Sequence, residues 1–463
     1  SSAASDVYKR QRNNGLTASK NIGLTFATET EKLELGGSVR YNYKGNAAYS
    51  DGYTENFLSS GASSSFNNSR SLNKSSNQDV NADFRLEWKP DTLTNIIFRP
   101  NFSYSKTWSA SNSMSGTFNS DPYAVIANPN DYLDITQLSK LDLSSETFDG
   151  ETNDPLQDIR VNTSNNLSSS DGNSLSANAT LQINRRLSSN GRNITFRGTA
   201  GYSDSESDQY SASNTRYFQA GEDGTVKPED IIRRYMTTPT DGYNYSLELT
   251  YSEPLWKATF LQFRYRFSYS NSKSDKKTFN LGNDWNMGDM LPSDYEDGYD
   301  AEQSKYAEYE TYTHRFSPSL LFNREKYRLS VGADFEPQNT SLSYEKGSYV
   351  TDTTRSVFNV APSVDFRYRF SKVSQLRITY RGRSSQPSME NLLDITDDSN
   401  PLNITKGNPG LKPSFNHNFR MFYNTYDPDR QRGIFTHANF QMTQNSISSM
   451  RTYNEQTGGW VTK

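Results

Sequence analysis

The sequence has no cysteine, only three histidines, and no run of about 18 apolar residues. Without cysteine there is no disulfide scaffold and no thiolate metal site. Without a long apolar run there is no transmembrane helix, although a membrane can also be crossed by strands. An excess of one charge is missing too: 49 basic residues face 53 acidic ones, a net charge of −4, so no nucleic-acid partner is implied. Hydrophobic residues make up only 32% of the 463, yet 30 are Tyr and 25 are Phe. A disordered chain would be poor in aromatics, whereas a strand-built membrane protein places them at both water interfaces.

The arrangement of those aromatics is clearest in residues 358–382, FNVAPSVDFRYRFSKVSQLRITYRG. Phe358, Val360, Pro362, Val364, Phe366, Tyr368 and Phe370 share one parity, and Asp365, Arg367 and Arg369 the other. That is the period of a strand with one apolar and one charged face. After a polar turn, Leu376, Ile378 and Tyr380 alternate with Arg377, Thr379 and Arg381. Each arm has about ten amphipathic residues, the length of a tilted strand crossing a bilayer.

The same hairpin recurs along the chain, for example Leu33 to Tyr43, Val80 to Trp88 with Ile96 to Tyr104, and Leu261 to Tyr269. About fourteen such strands are expected, with another beginning after Ile447. Connections alternate between short ones, as at 89–95 and 371–374, and long ones, as at 44–79, 106–173 and 271–310. This sorting predicts an all-β, up-and-down antiparallel transmembrane β-barrel with its long loops at one end, on the extracellular side of a Gram-negative outer membrane. About 14 to 15 strands read as part of a larger barrel. Pro100, Pro318 and Pro362 fall within strands, where bulges or strand ends are expected to accommodate them. Residues 6–11, DVYKRQ, match the translation of a transposon sequencing adapter, so 1–11 are expected to be an assembly scar and 12–463 a barrel fragment.

The segment from Tyr380 to Pro413 contains Gln386-Pro387-Ser388, Asn400-Pro401-Leu402 and Gly407-Asn408-Pro409 followed by Leu411-Lys412-Pro413. It resembles the corresponding segment of the outer-membrane β-barrel family related to TonB-dependent receptors, as does EWKPDTLTNIIFRPNFSYS at 87–105. The resemblance implies a barrel of about 22 strands around an N-terminal plug, importing a solute with energy delivered by a TonB-type inner-membrane complex. No plug-like segment or coupling peptide is visible in the sequence itself. A structural or surface-binding barrel without energised transport, an adhesin or assembly component, is the alternative reading. The Gly and Pro residues of the motif also have a local role, ending a loop and delivering the chain to a strand at Phe415.

Two groups of residues are candidates for binding. Arg264, Arg266, Arg367, Arg369, Arg377 and Arg381 lie on the polar parity and are expected to face the lumen, since a lipid-facing Arg near the midplane costs about 2–4 kcal/mol. They could attract an anionic solute or an acidic plug surface, or simply pair with lumenal carboxylates such as Asp365 and Glu336. The second group is Asp284, Trp285, Asp289, Asp294, Glu296 and Asp297, a loop able to offer oxygen ligands or an aromatic surface, or to be merely solvated. It lacks the spacing of a calcium loop. The sequence shows no nucleophile, zinc or phosphate-loop motif, so neither catalysis nor a cofactor is expected.

Overall fold

A computed structural model describes residues 7–57, 64–132, 155–221, 224–397, 400 and 402–463. The chain runs through β1 (Val7–Glu29), β2 (Leu33–Asn56), β3 (Ser65–Trp88), β4 (Thr94–Phe118), β5 (Arg160–Arg186), β6 (Asn193–Tyr217) and β7 (Asp230–Thr237). It continues through β8 (Thr240–Trp256), β9 (Thr259–Asn280), β10 (Lys305–Asn323), β11 (Tyr327–Lys346), β12 (Tyr349–Ser371) and β13 (Ser374–Ser385). Two-residue β14 (Thr396–Asp397) and β15 (Asn403–Lys406) follow, then β16 (Ser414–Asp427), β17 (Arg432–Gln444), β18 (Arg451–Tyr453) and β19 (Trp460–Thr462). Fifteen of these strands form one antiparallel sheet in chain order, β6 meeting β7 at one end and β8 along the rest of its length. Consecutive strands pair as neighbours, the up-and-down meander of a barrel wall.

Hydrogen-bonded register places the apolar parity of every strand on one face. One row runs Val331, Val364, Tyr380, Phe419, Phe440 across β11, β12, β13, β16 and β17. The next runs Leu329, Phe366, Ile378, Met421, Ala438. At the other end of the sheet Leu24, Val39, Ala82, Phe102 and Ala177 form a similar row. Many of these side chains are exposed, among them Leu24, Val39, Phe102, Phe263, Phe316, Phe419 and Phe440. A continuous exposed apolar surface of this size in water would be an aggregation site, whereas against hydrocarbon it is the expected lipid-facing band.

Apart from the eight-residue β7, the strands of the large sheet exceed the expected ten residues, running from 12 in β13 to 27 in β5. Much of what reads as long loop is therefore strand: β4 and β5 stay paired from Thr94/Arg185 up to Thr117/Asn162. Beyond the lipid band both faces meet water, so these Ser- and Asn-rich stretches carry no apolar alternation to reveal them. Residues 133–154 of the expected 106–173 loop, and 1–6 of the expected scar, lie outside the described residues.

The segment after Ile447 is not another wall strand. It forms β18 and β19, which join β14 and β15 in a separate four-stranded sheet, with β19 parallel to β15. Pro100 and Pro318 sit beside gaps in their ladders, and Pro362 at the end of a pairing. Pairing of β3 with β4 skips from Asp83/Asn101 to Leu86/Phe98 beside Pro100, and that of β10 with β11 from Phe316/Phe335 to Ser319/Gly332 beside Pro318. Pairing of β12 with β13 ends at Ser363/Arg381, next to Pro362. The missing donor thus costs local bonds while the register is kept.

The short turns are held by side chains. Asp91 Oδ1 accepts from the Leu93 and Thr94 amides at 2.7 and 2.8 Å. Arg324, between β10 and β11, donates to the Lys257 and Ala258 carbonyls at 2.6 and 2.7 Å, tying two neighbouring turns together.

Candidate functional site: a basic lumen

Because the side-chain period of a strand is two, residues flanking the apolar rows must point to the opposite face of the sheet, the one expected to line the lumen. Arg264, Arg266, Arg367, Arg369, Arg377 and Arg381 all fall on that parity. The register divides them into two environments.

Around β6 to β11 carboxylates are interspersed among the arginines. Glu248 of β8 stands between Arg197 of β6 and Arg266 of β9, and Arg266 is paired in register with Arg315 of β10. Arg266 donates to Ser246 Oγ at 3.2 Å, and Arg315 Nε donates to Glu336 Oε2 at 2.5 Å. Mixed charges of this kind lace a polar interior with little net field.

From β11 to β16 the balance fails. Arg328, Arg367 and Arg377 stand abreast on three adjacent strands, each directly opposite the next. Two residues further along, Asp365 lies beside Thr379, which faces Arg420, and beyond that Arg381 faces Asn418. Asp365 accepts from Arg377 at 2.5 Å. Among the described residues Arg328, Arg367, Arg381 and Arg420 have no ion-pair partner. Like charges opposed across a ladder are destabilising, by roughly 1 kcal/mol per close pair in bulk water and more where protein lowers the local dielectric constant. Arg367, Arg377, Arg381 and Arg420 line a groove of about 520 Å³ that also takes in Phe422 and His437, and Arg328 and Asp365 line a neighbouring one of about 360 Å³ that shares Arg367, Arg377 and Arg381. Such a surface favours an occupant that brings negative charge.

Phe422 and His437 were not distinguishable as lumen residues by composition. They lie on the polar parity of strands whose apolar residues face out, and Phe422 packs edge-on against Phe435 at 4.8 Å.

The second candidate group lies elsewhere. Residues 281–304 fold back onto the lipid-side face of the sheet, beyond the apolar band at the long-connection end, where Trp285 and Met287 are buried against Leu167 and Ala212. Trp285 stacks on Tyr210 at 5.8 Å, and its carbonyl accepts from Arg233 Nε at 3.2 Å. Asp284, Asp289, Asp294, Glu296 and Asp297 are exposed. Asp289 accepts from the Asn286 amide at 2.9 Å. Among the described residues no three acidic or histidine side chains converge as metal ligands do.

The motif at 386–413 shapes a loop that enters the mouth of the lumen. Gln386 donates to Asn359 at 2.9 Å, and Asn408 Oδ1 accepts from the Gly410 amide at 3.0 Å. A Cβ at Gly407 would lie 1.8 Å from the Leu393 carbonyl, so only glycine fits there. Pro387 and Pro409 flank those contacts, and Leu411 and Pro413 lead into β16. Met389 and Leu393 of the loop are buried against Ala307, Leu342 and Tyr344 on the lumen face of β10 and β11.

A meander of paired strands with an apolar lipid face and a charged interior is a transmembrane β-barrel wall. Residues 185–463 match the outer membrane protein beta-barrel family, and the chain belongs to that family. No curated protein matches it in sequence. Among solved structures it is similar to the ferric citrate transporter FecA in its unliganded form, at 10% identity and a TM-score of 0.41, covering 93% of this chain and 55% of that one. It is also similar to the siderophore receptor PirA from Acinetobacter baumannii, at 11% identity and a TM-score of 0.36, covering 97% of this chain and 57% of that one. A third is the ferric-catecholate import receptor Fiu from K12 E. coli in its closed form, at 7% identity and a TM-score of 0.32, covering 95% of this chain and 81% of that one. The chain thus spans just over half the length of the first two.

Proposed function

We propose that this chain is the wall of a non-enzymatic outer-membrane importer whose basic lumen passes an anionic solute, with the long connections on the extracellular side. The observation that carries this reading is the row Arg328, Arg367 and Arg377 with Arg381 and Arg420 nearby, lining two neighbouring grooves with Asp365 as the one carboxylate in register among them. A wall that only had to be filled would set carboxylates among its arginines, as Glu248 stands between Arg197 and Arg266 and Glu336 pairs with Arg315. An uncompensated row lowers the energy of an anion in transit, and equally of an acid-faced plug seated inside the barrel. The resemblance of the 380–413 segment to the outer-membrane β-barrel family related to TonB-dependent receptors supports energisation through such a plug by a periplasm-spanning complex.

The test is depletion of phosphorylated sugars and sugar acids from the medium by cells carrying or lacking the intact gene, with and without a protonophore. Gene-dependent, protonophore-sensitive depletion that weakens when Arg367 and Arg381 are changed to Gln is the expected result. Depletion independent of the gene would refute import and favour a structural or surface-binding barrel.

A further inference from the structure

Beyond the lipid band, the lumen wall and the small four-stranded sheet enclose a second basic site. That sheet lies within the mouth: among the described residues, its side-chain hydrogen bonds and ion pairs to the wall, and those of its turn, go to the lumen-facing Ser65, Asn162 and Lys346. Ser65 of β3 donates to Tyr453 Oη at 3.2 Å, and Asn162 of β5 donates to the Thr457 carbonyl at 2.5 Å. On the opposite wall Lys305 pairs with Glu390 at 3.1 Å and Lys346 with Asp397 at 3.5 Å. The strands are thereby bridged across the opening.

Between the wall and this sheet Lys276, Lys305, Lys346 and Lys406 surround a concavity of about 220 Å³ together with Glu390 and Asp397. Lys276 and Lys305 are direct register partners on β9 and β10, and both line this concavity. Lys305 shares Glu390 with Tyr309, whose hydroxyl donates to it at 2.9 Å. Lys276 is half-buried and, among the described residues, makes no hydrogen bond or ion pair. Its burial, reinforced by Lys305, Arg234 and Lys346 and opposed by Asp397, depresses its proton affinity below the ordinary lysine range. An ammonium so placed gains most from an added anion.

Lys276 and Gln303 also line an adjoining groove of about 410 Å³. Its wall carries the hydroxyls of Ser164, Ser211, Ser213 and Thr215 and the guanidinium of Arg234 on successive strands, with Ile232, Met236 and Leu402 among the other residues that line it. Ser164 and Thr215 are bonded to each other at 2.9 Å, a hydroxyl pair that can still donate to or accept from a ligand. The two concavities together fall within the usual size range of a small-molecule site, and they offer one charged end and one hydroxyl-lined end.

From this juxtaposition we infer that the mouth binds a polyhydroxylated solute bearing a single oxyanion, the oxyanion at Lys276 and Lys305 and the hydroxyls along Ser211, Ser213 and Thr215. This rests on the reading of the lumen as a solute path, and deepens it by naming the site of first capture and the solute chemistry. The test is calorimetric titration of the purified full-length protein in detergent, at low salt, with glucose 6-phosphate, glucose and inorganic phosphate as probes. Glucose 6-phosphate should bind at least about tenfold more tightly than either glucose or phosphate. Lys276→Met should weaken it about tenfold or more, the loss expected for one charge-assisted hydrogen bond. Lys257→Met, in an exposed turn at the other end of the barrel, should leave it unchanged. Thr215→Val provides a second arm that removes a hydroxyl and no charge, and should reduce the preference for glucose 6-phosphate over phosphate. Absence of binding, equal affinity for phosphate and glucose 6-phosphate, or indifference to Lys276→Met in a folded protein would overturn the site. Because binding is read on isolated protein, its failure alongside gene-dependent uptake would remove this site and leave import standing, while binding without uptake would do the reverse.

Discussion

Substituting one lipid-face residue and its lumen-face neighbour separates the two faces of β12. Phe366 sits in the aliphatic part of the outer band, flanked in register by Leu329 and Ile378, while Arg367 is opposed by Arg328 and Arg377. Phe366→Arg would place a guanidinium in hydrocarbon, at about 2–4 kcal/mol if it lies near the midplane and less toward an interface. The lost packing of the ring with Tyr368, 6.4 Å between centroids, adds to that. Arg367→Gln removes one member of a like-charged row and should cost less than about 1 kcal/mol, or stabilise slightly. The assay is denaturant unfolding of protein folded into lipid vesicles, followed by tryptophan fluorescence and by the gel shift between folded and unfolded barrel. Phe366→Arg should lower the unfolding free energy by at least about 2 kcal/mol or prevent assembly. Equal tolerance of both changes, or greater damage from Arg367→Gln, would refute the assignment of faces.

Two other perturbations probe the ends of the strands. Asp91, in a short turn outside the lipid band, has its carboxyl proton affinity lowered chiefly by the hydrogen bond from the Leu93 amide. A depressed carboxylate contributes stability that is present above its unfolded-state value and lost as pH falls through the folded one. Asp91→Ala should therefore lower the melting temperature at neutral pH, with the gap to the parent protein closing in acid. At the opposite end, Trp285→Ala removes a buried ring stacked on Tyr210, a truncation costing about 3–5 kcal/mol in a packed site. Limited proteolysis should then cleave within residues 281–304 while the barrel still shows its folded gel mobility; loss of both together would mean that this loop is integral to the wall.

The membrane-crossing part of each strand is legible in the sequence because lipid on one side and a charged lumen on the other impose opposite demands on alternate residues. Phe366 and Arg367 could not exchange roles without shifting the whole register. The extensions beyond the membrane are hidden for the converse reason: in Asn162 to Asn166 both faces are polar, and only pairing with Thr117 to Ser113 reveals the strand. The lumenal arginines are visible one by one, but whether each is neutralised depends on cross-strand neighbours far apart in sequence, such as Arg315 with Glu336 and Arg328 with Arg367. The mouth site is less visible still. Lys276 and Lys305 are brought together by pairing of β9 with β10, and the small sheet that faces them joins residues 396–406 to 451–462. The acidic loop illustrates the limit of composition, since its Trp285 reads as available in the sequence and is buried in the structure.

The absence of cysteine makes the decisive measurement simple, because any introduced thiol is the sole reporter in the chain. Single cysteines at positions 375 to 381 of β13, in intact outer membrane, would be challenged with a charged, membrane-impermeant maleimide. Gln375, Arg377, Thr379 and Arg381 line the basic groove, so cysteines there should label and be protected by an anionic occupant of the lumen. Cysteines replacing Leu376, Ile378 and Tyr380 should stay unlabelled in lipid. Labelling without this alternation, or alternation of opposite sense, would contradict a barrel wall that turns its arginines inward.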